Sequence, residues 1–189
     1  MKVRFLLNNE EIDMNFNSNQ PLNYTLMELN SKSNRYLSCN GKDCGLCIVL
    51  DRKNDEIIQS CLTPMFRLQG ADIITPDYFF SQKVASYVKV AYKDVNMIPC
   101  DECIQKRTLL FDWIANVLET KTVKVNNQKD SAFYQQMEKV NETRPQSPRE
   151  KVQQYKDFIL STHSLIKCNC MTPGDILSIT EAVLQRRRH

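Results

Sequence analysis

The eight cysteines fall into two groups of four, with none left over. The first group places Cys39, Cys44 and Cys47 in one short loop, with Cys61 following on the far side of a hairpin signal. This C-x4-C-x2-C…C spacing is that of plant-type [2Fe-2S] sites, in which four thiolates converge on two irons. Three ligands from one tight loop need a backbone that turns without side-chain obstruction, which Gly41 and Gly45 permit. Such a loop also turns successive N–H groups toward the cluster sulfurs, where they stabilise the charge gained on reduction. Zinc favours paired short spacings, which this group lacks.

The second group reads Cys100-Asp101-Glu102-Cys103 and Cys168-Asn169-Cys170. On spacing alone, two short pairs suit structural zinc as well as an iron–sulfur centre. Placement favours the latter: each pair sits where a helix begins or ends, so the two could meet in the middle of a helical bundle. Other residues invite functional readings that the residue types do not support. Asp101 and Glu102 read as solvated carboxylates at a helix start, His163 and His189 as surface or tail residues, and Trp113 as bundle core. Arg186, Arg187 and Arg188 read as a solvated, favourably charged helix C-terminus.

Bulk properties fit a globular protein. The chain has 189 residues, 42% of them hydrophobic, and a net charge of +3, too small to attract nucleic acid by itself. The apolar stretch at the N-terminus is too short for a signal peptide and is interrupted by Arg4, and no later run approaches a membrane span. A cytoplasmic location is expected, where thiols stay reduced and clustered cysteines serve metals or redox chemistry.

The elements that must carry the cysteines divide the chain near residue 76. Val3–Leu7, the turn residues Asn8 and Asn9, and alternating Ile12, Met14 and Phe16 predict a hairpin. Leu22, Leu26 and Leu29 predict a short helix, and Ile48–Leu50 with Ile57–Ile58 a second hairpin ending at Cys61. From Asp77 the spacing becomes helical, with Val84, Tyr87, Val88 and Ala91 on one face, then Leu109 to Leu118 in a helix starting near Cys103. Residues 120–148 are polar and suggest an exposed insertion with one helical stretch over Phe133–Val140. Ser147-Pro148 and Thr172-Pro173 each open a further helix, completing four.

With both quartets assembled, the chain resembles the iron–sulfur small subunit, or N-terminal iron–sulfur portion, of the xanthine dehydrogenase and aldehyde oxidase family of molybdenum hydroxylases. The resemblance rests on the opening hairpin, the Thr25-Leu26-Met27-Glu28-Leu29 helix, Cys44-Gly45-Leu46-Cys47, Ser60-Cys61-Leu62-Thr63-Pro64, and the C-x2-C and C-x-C pairs in that order. It implies an α+β fold: a β-grasp ferredoxin-like domain over 1–76, then an all-α four-helix-bundle domain over 77–189, each binding one [2Fe-2S] cluster. Electrons would pass from a molybdopterin centre on a large partner subunit, through both clusters, to FAD on a medium subunit. The chain would thus serve an oxidoreductase as its electron-transfer subunit, with no catalytic residue of its own and no nucleic-acid or membrane partner.

Departures from the family pattern mark a divergent member. Pro99 stands where the family has a pterin-touching glutamine, and Asp101 where it has glycine. Ile104-Gln105-Lys106 replaces the usual threonine-proline-glycine, and Asn169 replaces an arginine. These leave two alternatives open: a zinc- or iron–sulfur-bearing interaction protein that keeps the fold, and a stand-alone ferredoxin-like carrier.

Overall fold

The computed structural model describes residues 1–17, 19–29, 45–124 and 148–187. Strand β1 (Lys2–Leu7) alternates buried Val3, Phe5 and Leu7 with outward Lys2, Arg4 and Leu6. Asn8 and Asn9 turn the chain with φ of 54° and 70°, a left-handed pair that asparagine tolerates better than most residues. Strand β2 (Glu10–Asn15) returns antiparallel to β1. Helix α1 (Leu22–Leu29) buries Leu22 and Leu26 against Val3, Phe5 and Ile73. Strands β3 (Ile48–Asp51) and β4 (Glu56–Gln59) form the second expected hairpin.

A fifth strand, β5 (Asp72–Ile74), joins the hairpins by running parallel to β1 and antiparallel to β3. The sheet order is β2-β1-β5-β3-β4. Three residues are too few to show a period of two, so sequence pattern alone does not announce this strand.

Among the described residues all five strands lie between Lys2 and Ile74, and helices dominate thereafter. The single helix expected around Val84 to Ala91 is instead three pieces: α2 (Pro76–Ser81), a 3-10 turn (Lys83–Ala85) and α3 (Ser86–Asp94). Pro76 starts α2 in the first turn, and Gln82, extended at ψ 151°, ends it. The break rotates the face, leaving Val84 55% exposed while Ala85, Val88 and Ala91 are buried.

Helix α4 (Ile104–Lys124) runs past Leu118 into the stretch expected to be an insertion, and α5 (Pro148–His163) and α6 (Pro173–Arg187) follow among the described residues. The remainder of the polar insertion, with its expected helix over Phe133–Val140, lies outside the described residues. At the start of α6, Asp175 Oδ2 accepts from the Thr172 N–H and hydroxyl, at 2.8 and 2.7 Å, while Thr172 Oγ1 accepts from the Asp175 N–H. Those hydrogen bonds from Thr172 hold the Asp175 carboxyl below its ordinary range.

Helices α3 to α6 share one core, in which Val88 and Ala91 meet Phe111, Ile114 and Leu118, Ile159, and Ile176, Ile179 and Val183. Smaller clusters join helices to sheet: Leu50 and Ile74 pack with Phe79, Ala85 and Leu109. Trp113 is only half-buried, not enclosed in the bundle, and its Nε1 donates to both the backbone oxygen and Oδ1 of Asp55 in the β3–β4 turn, each at 3.1 Å. The last helix is also tied down, because Arg186 pairs with Asp94 and Arg187 with Glu119, rather than both being merely solvated. No helix among the described residues is long and apolar enough to cross a membrane.

Candidate metal centre

The turn before α4 is built around the first cysteine pair. Cys100 O accepts from the N–H groups of Cys103 and Ile104, both at 2.9 Å, and Cys103 O accepts from Arg107 N at 2.8 Å. Cys103 is therefore where the chain enters α4, and its side chain is completely buried with Ile48, Leu110 and Ile166. The second pair occupies the short connection between α5 and α6, where Cys168 N donates to Ile166 O at 2.9 Å. Ile166 anchors this connection in the same cluster as Cys103.

These two connections bring Cys100, Cys103, Cys168 and Cys170 together, with all four Sγ atoms within 4.8 Å of one another. The Cys100 and Cys168 sulfurs are 3.9 Å apart. Burial opposes ionisation of Cys100, but hydrogen bonds from Cys103, Cys170 and Cys168 outweigh it and hold this thiol below its ordinary pKa. Burial, then the neighbouring thiols, push Cys103 up, and burial is also the main cause raising Cys170. Without a cation, Cys100 ionises more easily than an ordinary thiol, and Cys103 and Cys170 less easily. A soft metal ion would remove that restriction, releasing protons as it binds.

Cys47 and Cys61 of the first quartet lie at the end of the β3–β4 hairpin, where Ser60 N donates to Cys47 O at 3.0 Å. Cys47 is buried and Cys61 half-buried against the sheet core. Cys39 and Cys44 lie outside the described residues. Gly45 has φ +68°, and a Cβ there would stand 1.7 Å from the Leu165 oxygen. Gly45 thus lies directly against the chain leading to Cys168, closer than any side chain would allow.

Two residues beside the second quartet have roles not expected from sequence. Arg107 is 2% exposed and His163, expected on the surface, 1% exposed. Arg107 Nη1 bonds to His163 Nδ1 at 3.0 Å and donates to His163 O at 3.2 Å, while Nη2 donates to Cys168 O at 3.2 Å. Burial first, and the Arg107 charge second, push the imidazole pKa down to about 3. The ring is therefore neutral, and its Nδ1 accepts the hydrogen bond that Arg107 Nη1 donates. A signal was available: Cys103, Arg107, Leu110 and Ile114 follow helical spacing, so Arg107 interrupts an otherwise apolar stripe. Asp101 and Glu102, by contrast, are exposed, as expected for solvated carboxylates.

The donor set suits a metal that prefers sulfur. A single tetrahedral ion with bonds of about 2.3 Å holds its sulfurs roughly 3.8 Å apart. The Cys100–Cys168 separation is close to that value. A two-iron centre shares the same four thiolates two per iron, and so needs the pairs drawn somewhat apart.

No protein-family model matches the chain, and no curated protein matches it by sequence. Solved structures do resemble it. Quinoline 2-oxidoreductase from Pseudomonas putida 86 aligns over 100% of this chain and 96% of its own, with a TM-score of 0.56 and 18% identity. The aldehyde oxidoreductase from Desulfovibrio desulfuricans ATCC 27774 aligns over 99% of this chain with a TM-score of 0.59 and 14% identity. The Desulfovibrio gigas aldehyde oxidoreductase covers 98% of it at 0.57 and 17%. The chain spans only 17% of each Desulfovibrio protein. At these identities the likeness establishes the fold.

Proposed function

We propose that this chain is the electron-transfer iron–sulfur subunit of a molybdenum hydroxylase resembling xanthine dehydrogenase, working in the cytoplasm. In this reading residues 1–76 form a β-grasp ferredoxin-like domain whose Cys39, Cys44, Cys47 and Cys61 hold one [2Fe-2S] cluster. Residues 77–189 form the helical domain, whose Cys100, Cys103, Cys168 and Cys170 hold the other. The observation that carries the proposal is the convergence of that second quartet within 4.8 Å, in a fold shared with oxidoreductases. When bound, each cluster supplies a one-electron couple between a molybdopterin chain and an FAD chain.

The protein's own part is to gather the thiolates and to fix the distance and surroundings of the two sites. Cys103 is anchored by the start of α4 and the Ile166 cluster, while Cys100 is exposed toward any partner that docks there. Pro99 is buried and has no N–H to offer, so direct donation to a pterin from this backbone position is absent. Pterin contact in this assembly would then fall to other residues or be lost.

Anaerobic purification of the full chain tests the proposal. About four irons and four acid-labile sulfides per chain, with two distinct paramagnetic resonance signals after dithionite reduction, are expected from two [2Fe-2S] centres. Co-purification with a large molybdenum-containing chain would extend the result to the assembly. The second reading, a structural zinc protein, is favoured by the 3.9 Å sulfur separation. A colourless protein containing zinc and no sulfide would establish that reading instead.

A further inference from the structure

We infer that Arg107 is a positioning residue for the Cys100, Cys103, Cys168 and Cys170 quartet, and that its fixed charge balances the negative charge of the metal-bound thiolates. The inference rests on the reading above in one respect: the quartet holds a metal, whichever metal that is.

Burying a guanidinium without a counter-charge is strongly unfavourable, because it gives up hydration with nothing to replace it. Every hydrogen-bond partner of Arg107 among the described residues is neutral: the His163 imidazole, the His163 carbonyl and the Cys168 carbonyl. Its Nε is buried and has no protein partner among these residues. His163 cannot supply the missing charge, since a neutral ring is required to accept at Nδ1.

The quartet can supply it. Four thiolates with one divalent ion carry a net charge of about −2, and four thiolates with two ferric ions and two sulfides carry the same. One added electron makes the latter more negative still. Arg107 reaches the backbone of Cys168 itself, so its charge lies in the shell next to the sulfurs. The buried Lys106, donating to Glu102 O at 2.7 Å, adds a second cation in the same turn of α4. The two N–H groups given to His163 O and Cys168 O also hold the end of α5 to the C-x-C connection, fixing where Cys168 and Cys170 stand.

The test uses the full chain carrying Cys39→Ser and Cys61→Ser, so that cobalt(II) reports the second quartet alone through its thiolate-to-metal absorption. Arg107→Met is expected to weaken cobalt binding about tenfold or more, the usual consequence of losing an outer-shell partner, and Arg107→Lys by no more than about threefold. Arg107→Gln, which keeps a donor without the charge, is expected to resemble the methionine variant and decides the matter if that variant fails to fold. Parent-like affinity in either uncharged variant overturns the inference, as does an equal loss in the lysine variant, which would show that the charge adds nothing to the guanidinium's packing and hydrogen bonds. In the otherwise unaltered chain reconstituted with iron and sulfide, Arg107→Met should also shift the midpoint potential of one signal to a more negative value. A parent that binds cobalt yet assembles no iron–sulfur cluster would end the electron-carrier reading and leave Arg107 in place. A parent that binds neither would end both.

Discussion

Gly45 and His163 show how single side chains, or the lack of one, hold the candidate site together. Gly45 combines φ +68° with a Cβ direction blocked by Leu165 O. Two costs are therefore separable. If only the backbone angle mattered, asparagine would be tolerated, because it enters the left-handed region at small cost. The overlap at 1.7 Å predicts otherwise. Gly45→Ala and Gly45→Asn should both lose more than about 2 kcal/mol in urea unfolding, beyond the left-handed penalty alone. A stable asparagine variant would show that the loop can withdraw from Leu165. His163 makes a prediction in pH. Its folded pKa of about 3 lies below the ordinary 6.5, so its contribution is complete above pH 6.5. It is lost as pH falls from 6.5 toward 3, because the unfolded chain takes up a proton that the folded chain does not. The slope is up to ~1.4 kcal/mol per pH unit. His163→Gln, which keeps an acceptor for Arg107, should flatten the stability profile over that interval in metal-free protein. At this scale the cysteines were legible because residue type and spacing specify their chemistry directly. Arg107 showed only as a break in an apolar stripe and His163 not at all, because polar residues are ordinarily at the surface, and their burial depends on a contact between distant helices.

Elements whose periodicity extends over many residues were legible, while short or interrupted ones were not. The β1–β2 and β3–β4 hairpins carry turn residues and alternation, and α4 carries a long apolar stripe, so each could be placed from its own residues. Strand β5 depends for its existence on pairing with β1 and β3, a tertiary fact. The break between α2 and α3 was hidden because Val84 fits the helical spacing but falls in the 3-10 turn. Trp113 illustrates the same limit, since a core residue by type also joins two elements through its N–H. Trp113→Phe keeps most of the ring packing against Phe158 but removes the donor to Asp55. A loss of about 1 kcal/mol is expected by circular dichroism in urea. Asp55 has φ 54°, so Asp55→Gly trades the side-chain acceptor for relief of that angle and keeps the backbone acceptor. It should stay within about 0.5 kcal/mol of the parent. Equal losses in both variants would mean that the side-chain oxygen provides the bond.

At the scale of the whole molecule, the candidate centre itself is one of the places where strands and helices join. Ile48 at the head of β3 shares a fully buried cluster with Cys103, Leu110 and Ile166, and half-buried Cys168 and Cys170 pack against it. Gly45 touches the chain between α5 and Cys168 on the same side. None of this joining could be read from sequence, because each half shows a self-consistent pattern and the residues between them are apolar for reasons either half could explain. It has a thermodynamic consequence. Metal bound at the second quartet stabilises the folded state in proportion to its occupancy, and cooperative packing should carry that stabilisation into the sheet. Cobalt(II) should therefore raise the melting temperature reported by Trp113 fluorescence and by far-ultraviolet circular dichroism by the same amount, in a chain carrying Cys39→Ser and Cys61→Ser. Ile48→Ala removes the strand's part of the shared cluster at a cost of about 2–5 kcal/mol, leaving a cavity between sheet and helices. In that variant the sheet should melt first, at a temperature that cobalt no longer moves, while the helices still respond. Coincident melting in the variant would show that Gly45, Leu50 and Trp113 couple the two halves without Ile48.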